Sequence, residues 1–129
     1  MDDKWDELYK RAKEVLNPRT ISSSVEAGSV AAAILSKDGN IYVGVCIDMA
    51  CSIGMCAERN ALSTMITMNE NKIDKLICIG RDDKIMLPCG VCREFMMQLD
   101  SSNKDTEIMV NYETRETVKL SQLLPRWWN

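Results

Sequence analysis

The stretch "VAAAILSKDGNIYVGV", residues 30 to 45, decides how this chain folds. Val30 to Leu35 is an apolar run and reads as a strand. Lys37-Asp38-Gly39-Asn40 reads as a turn, because Asp-Gly is a strong hairpin signal, and Ile41 to Ile47 is the return strand. Before this hairpin, Trp5, Leu8, Tyr9, Ala12, Val15 and Leu16 follow helical spacing, so residues 3–16 read as an amphipathic helix that Asn17-Pro18 ends. After it, residues 57–69 suit a helix, with Leu62, Met65 and Ile66 inward, and Leu76 to Ile79 suits a buried strand. Residues 90–99 suit another helix, with Cys92, Phe95, Met96 and Leu99 on one face. Glu107 to Val110 reads as a short strand, and Leu120 to Leu124 as a helical turn stopped by Pro125. Strands separated by single helices imply right-handed crossovers. The order predicts a three-layer α/β/α fold with a mixed sheet. No repeat, low-complexity tract or linker interrupts it, so residues 1–129 read as a single domain.

Composition narrows the function. The 129 residues are 46% hydrophobic and 27% charged, with a formal net charge of −3. That balance is an ordinary globular one and gives no electrostatic footprint for a nucleic acid polymer, though a single nucleoside can still bind in a pocket. No apolar run approaches the length of a membrane span. The start, Met1-Asp2-Asp3-Lys4, is acidic and lacks the basic and apolar regions of a secretion signal, so a cytoplasmic location is expected.

There are six cysteines and no histidine. In a reducing compartment, metal binding or burial is the expected use rather than disulfides. Cys56 opens one predicted helix, and Cys89 and Cys92, in "PCGVC", open the next. Helices that follow strands of one sheet can place their N-termini at the same edge, where partial positive charge favours thiolates. Three thiolates suit zinc, and three protein ligands leave the fourth tetrahedral position for water. Two other readings stay open on the residues alone. One is a redox pair at 89 and 92, which leaves "CAER" unexplained. The other is a closed structural site using Cys46 or Cys51 as fourth ligand. Cys78, inside a strand, reads as a small core residue. The nine methionines read mainly as core filling.

"CAERNA" at 56–61, followed by "PCGVCRE" at 88–94, resembles the cytidine deaminase family. The handling of a cytosine ring by three-cysteine zinc and a non-ligand glutamate is general to such enzymes. The hairpin at 30–45 and "LLP" at 123–125 extend the resemblance over roughly residues 25–128. The resemblance implies zinc held by Cys56, Cys89 and Cys92. It also implies Glu58 as the proton shuttle in the hydrolytic conversion of a cytosine nucleoside to its uracil counterpart and ammonia. An ideal helix puts a residue two positions on about 200° away, so Glu58 does not share a face with Cys56 by spacing alone. Arg59 sits where the all-cysteine members carry an arginine that offsets the −1 charge of zinc with three thiolates. The resemblance further implies a homotetramer.

Sugar recognition departs from the family. Its Asn-x-Glu on the second strand aligns with Cys46 and Asp48 of "CIDMACS", and Gly28 falls near the place of a usual phenylalanine. Cysteine is a weak donor, and aspartate reaches one methylene less far than glutamate. Cys46, Asp48, Ala57 and Trp128 are the expected substrate contacts, the last from "PRWWN", with Trp127 or Trp128 packing the terminus. The working substrate is cytidine or deoxycytidine. The alternatives are a modified nucleoside, as in the related blasticidin S deaminases, and a non-catalytic, zinc-stabilised nucleoside-binding protein.

Overall fold

The computed structural model describes residues 3–129. Helix α1 (Lys4–Val15) starts at Asp3, whose carboxylate accepts from the Asp6 amide. It is followed by β1 (Arg19–Ser22), β2 (Val25–Ser36), β3 (Ile41–Met49), α2 (Ala57–Thr67), β4 (Ile73–Ile79), α3 (Gly90–Leu99), β5 (Glu107–Asn111), β6 (Glu116–Lys119) and α4 (Leu120–Leu123). The mixed sheet runs β1-β2-β4-β5-β6, with β3 on the other side of β2. Strand β2 is antiparallel to both β3 and β4, so the β3–α2–β4 connection passes over it. The β4–α3–β5 connection joins parallel neighbours.

Alternation along β2 divides the core into two layers. Ala31, Ala33 and Leu35 face α1 and meet Trp5, Leu8 and Ala12 together with Ile77, Ile79 and Met109. Ala32 and Ile34 face the other way, toward Ala61, Leu62 and Met65 of α2 and Met96 of α3. A strand buried on both faces reads as a continuous apolar run, and residues 30–35 are such a run. The expected three-layer architecture is therefore present.

Two strands have no counterpart in the sequence reading. Strand β1, Arg-Thr-Ile-Ser, is exposed throughout, and β6 is a four-residue edge strand. Strand β2 begins at Val25, five residues before the apolar run, and β4 begins at Ile73. Edge pairing is made by backbone hydrogen bonds and leaves little hydrophobic signal.

Two local devices set the position of α2 and α3. At Gly44 of β3, a Cβ would lie 2.5 Å from the Ala61 nitrogen and 2.8 Å from the Ala57 oxygen, so only glycine lets α2 lie this close to the strand. The Asn60 amide adds a hydrogen bond of 3.1 Å to the Val45 carbonyl. At the far end of α3, buried Asn103 donates to the Met96 carbonyl at 2.9 Å and the Asn71 carbonyl at 3.0 Å, and accepts from the Ile73 amide at 2.8 Å.

Candidate metal and active site

Cys56 is the N-cap of α2 and Cys89 the N-cap of α3, both with extended backbone. Cys92 lies in the first turn of α3. The three sulfurs lie within 4.8 Å of one another, with Cys56 Sγ 3.3 Å from Cys89 Sγ and Cys89 Sγ 3.5 Å from Cys92 Sγ. Tetrahedral zinc with bonds of about 2.3 Å separates its sulfur ligands by about 3.8 Å, so the set is close to the required size. As the cap residues, Cys56 and Cys89 place their sulfurs at two helix N-termini, where partial positive charge favours thiolates.

The spacing 89–92 works for a different reason from a shared helical face. An N-cap side chain folds back over the third residue of its helix, which is where Cys92 stands. The same fact places Glu58. Cys56 is not yet helical, so the 200° between successive positions i and i+2 does not apply from it. Glu58 is 5% exposed and lines a cavity of ≈150 Å³ with Cys56, Ala57, Cys78, Cys89 and Cys46.

The electrostatics show what this cluster lacks. Burial raises the Glu58 carboxyl above its usual range, partly offset by the amides of Glu58 and Cys89 and the thiols of Cys92 and Cys78. Burial, then the Glu58 charge, pushes the Cys92 thiol up, and burial and the Cys89 thiol raise Cys56. At Cys89, burial acts upward but is outweighed by the Cys92 amide and the two neighbouring thiols, which hold it below a normal thiol. Burial is the largest single influence at Glu58 and at each of the three thiols and acts against ionisation, and a bound cation would relieve it. Arg59 Nε is buried without a hydrogen-bond partner, and the Cys56 and Cys92 thiols beside it outweigh burial and raise its pKa. A thiolate held by a metal would give that orphan donor its acceptor. The donor set therefore fits zinc.

The remaining cysteines separate. Cys51 is exposed in the turn Ala50–Ser52, at φ 62°. Cys46 is buried on β3, with Sγ 3.2 Å from Ser29 Oγ, and lies outside the three-sulfur cluster. Neither supplies the fourth ligand that a closed structural site needs. Cys78 packs in the core on β4. Cys46 and Asp48 share one face of β3 and line a groove of ≈360 Å³ that also contains Cys56 and Arg59. Ala57 lines the cavity beside Glu58.

Trp128 lies elsewhere in this chain. Its indole N–H donates to Glu94 Oε2, and that of Trp127 to Glu94 Oε1, each at 3.0 Å. Trp127 packs on the core cluster, while Trp128 is 70% exposed. Neither is among the residues lining the cavity. The sequence reading passed over Ser29, Met86 and Leu87, which reach Cys46 or the cavity wall. Ser29, a polar residue at the head of an apolar run, was the one available signal.

A mixed sheet between helical layers, with three thiols at two helix N-termini beside a buried glutamate, defines a zinc-binding α/β class. The family profile described as "Cytidine and deoxycytidylate deaminase zinc-binding region" matches residues 3–106. A cytidine deaminase from Halalkalibacterium halodurans is 30% identical over 98 residues, 74% of each chain. One from Mycobacterium tuberculosis is 24% identical over 98 residues, 75% of this chain and 70% of that one. The crystal structure of the Mycobacterium tuberculosis cytidine deaminase superposes with a TM-score of 0.81 at 22% identity, covering 99% of both chains. That from Mycobacterium leprae gives 0.79 at 24% identity, over 97% of this chain and 100% of the other. The chain belongs to the cytidine and deoxycytidylate deaminase family.

Proposed function

We propose that this chain is a zinc-dependent hydrolase that deaminates a free cytosine nucleoside, cytidine or deoxycytidine in the first instance. The observation that carries the reading is the convergence of Cys56, Cys89 and Cys92 at two helix N-termini, with buried Glu58 lining the same cavity. Zinc, when bound by these three thiolates, supplies a Lewis acid that makes water nucleophilic near neutral pH. Glu58 accepts the proton of the water that attacks C4 of the ring. It returns protons first to the ring nitrogen and then to the departing amine. Water and the nucleoside are consumed, and the uracil nucleoside and ammonia leave. Burial keeps Glu58 basic enough for this traffic. Arg59 offsets the negative charge of the thiolates. Ala57, Cys46 and Asp48 contact the substrate, with Asp48 accepting from a sugar hydroxyl. Trp128, which is exposed and donates to Glu94 of α3, acts across a subunit contact.

Residues 1–129 act as one domain. The homotetramer is part of the proposal; exposed Met86 and Leu87 on the cavity wall are apolar surface that a subunit contact would cover. Among the described residues no helix is long and apolar enough to cross a membrane, and a cytoplasmic location is part of the proposal. The test is ammonia release by zinc-loaded protein from cytidine, deoxycytidine, cytosine, blasticidin S and adenosine. Release from a cytosine nucleoside supports the reading. Release from none of them, with zinc bound, favours the non-catalytic nucleoside-binding alternative.

A further inference from the structure

The peptide unit between Pro88 and Cys89 joins the candidate site to the rest of α3. Its amide belongs to Cys89, whose thiol is one of the three clustered sulfurs and whose N–H favours the ionised Glu58 carboxyl. Its carbonyl belongs to Pro88 and accepts from Arg93 Nε at 2.8 Å. Among the described residues no peptide bond is cis. A trans peptide is planar and points its C=O and N–H in opposite directions, so fixing the carbonyl aims the amide. The proline ring fixes its own φ, so this peptide turns only about the Pro88 ψ and the Cys89 φ.

Arg93 reaches the carbonyl because of its place on α3. It stands one turn after the cap Cys89, and helical side chains lean back toward the N-terminus. Its own amide closes that turn on the Cys89 carbonyl at 3.0 Å. Its Nη1 also donates to the Leu123 carbonyl at 3.3 Å, at the end of α4. The planar guanidinium therefore bridges two backbone carbonyls from separate segments. A brace for the C-terminal turn alone needs only the Leu123 contact, yet the shorter bond is the one to Pro88.

Among the described residues no carboxylate forms a salt bridge with Arg93 within 4.0 Å. Its charge is directed at backbone instead. An ionised donor makes the stronger hydrogen bond, and polarising the carbonyl makes the amide of the same peptide a better donor.

We propose that Arg93 is a positioning residue for the deamination site. It locks the Pro88–Cys89 peptide, and with it the Cys89 sulfur on the zinc side and the Cys89 amide on the Glu58 side. This rests on the zinc-dependent deaminase reading and adds a residue that need touch neither metal nor substrate.

The test compares wild type with Arg93→Met, Arg93→Lys and Leu8→Ala. Methionine keeps an aliphatic stem and removes every donor. Lysine keeps the charge but is a point donor that cannot span both carbonyls as the guanidinium fork does. Leu8 of α1 is fully buried in the other core layer, so its truncation destabilises the fold without touching this peptide. Two quantities are measured on folded protein: the rate at which zinc passes to a chromophoric chelator, and kcat and KM on the best nucleoside of the panel. Arg93→Met is expected to release zinc about ten-fold faster and to lose about ten-fold in kcat with KM little changed. Arg93→Lys is expected to recover part of both losses, and Leu8→Ala to stay near wild type in both. If the methionine variant does not fold, the lysine variant carries the comparison. Arg93 variants that match Leu8→Ala in zinc release and kcat overturn the inference, as does a loss confined to KM. Zinc release needs no turnover. If the wild type deaminates no nucleoside, the deaminase reading fails, and zinc release alone decides on Arg93.

Discussion

Gly44 and Gly90 offer a paired test of how the fold places the site. Both are replaced by alanine, adding one methyl group each. At Gly44 that methyl meets the Ala61 nitrogen at 2.5 Å, the Ala57 oxygen at 2.8 Å and the Asn60 Cβ at 2.9 Å. Backbone forms two of these contacts, so side-chain rotation cannot relieve them. Reaching an ordinary 3.4 Å contact requires α2 to retreat from β3 by about 0.9 Å. Strain of this kind costs about 1–3 kcal/mol of stability. Because Ala57 and Asn60 lie in the first turn, the retreat moves Cys56 and Glu58 relative to Cys89 and Cys92. A displacement of about 1 Å in a catalytic group costs on the order of 10²-fold in rate. At Gly90, between two of the thiols, nothing lies within 4 Å of the added methyl. Alanine there removes a glycine from a helix start and shifts stability by less than about 1 kcal/mol, in the favourable direction. Urea denaturation, zinc content and kcat/KM on the best substrate from the nucleoside panel are measured for both. The reasoning fails if Gly44→Ala matches the wild type in stability and rate, or if Gly90→Ala is the more damaging of the two.

Further expectations follow from other parts of the structure. Asn103→Ala removes two buried hydrogen bonds and one partly buried one, so it should cost about 2–4 kcal/mol in urea denaturation while a variant at exposed Lys104 costs little. Glu70 is held below the usual carboxylate range by Ser36, then Tyr42 and Asn40, while the Tyr42 hydroxyl that donates to it is pushed up to about 12. The Glu70 contribution is present above its ordinary pKa of 4.5 and lost as pH falls through the lower folded value. The Tyr42 contribution is complete below 10.0 and lost as pH rises toward about 12. Glu70→Gln should therefore lose most stability relative to wild type between these limits, with the gap closing in acid and in alkali; a gap independent of pH contradicts the pairing. Zinc removal by a chelator should abolish turnover and expose thiols: a disulfide reagent should titrate about one in the loaded protein, Cys51, and about three after removal, as Cys56 and Cys89 become free.

Much of this arrangement was legible in the sequence, and the parts that were not have physical reasons. The central hairpin was plain because β2 is buried on both faces and the Asp-Gly turn is strongly marked. The three thiols were legible because both helix starts carry them. The position of Glu58 was not, since helical arithmetic counts Cys56 as a helical residue when it is the cap before the helix. Strands β1 and β6 were missed because their stability comes from backbone pairing at sheet edges. Trp128 was expected at the substrate, but two indole N–H groups find their acceptor in Glu94 on α3.

The central claim is that Glu58 moves protons beside a zinc held by Cys56, Cys89 and Cys92. Its most direct test compares wild-type protein with Glu58→Gln, measuring zinc per chain and uracil-nucleoside formation on the same samples. The account predicts that the variant keeps about one zinc per chain and its fold while losing at least about 10²-fold in kcat. A variant that holds zinc and still turns over at the wild-type rate would contradict it.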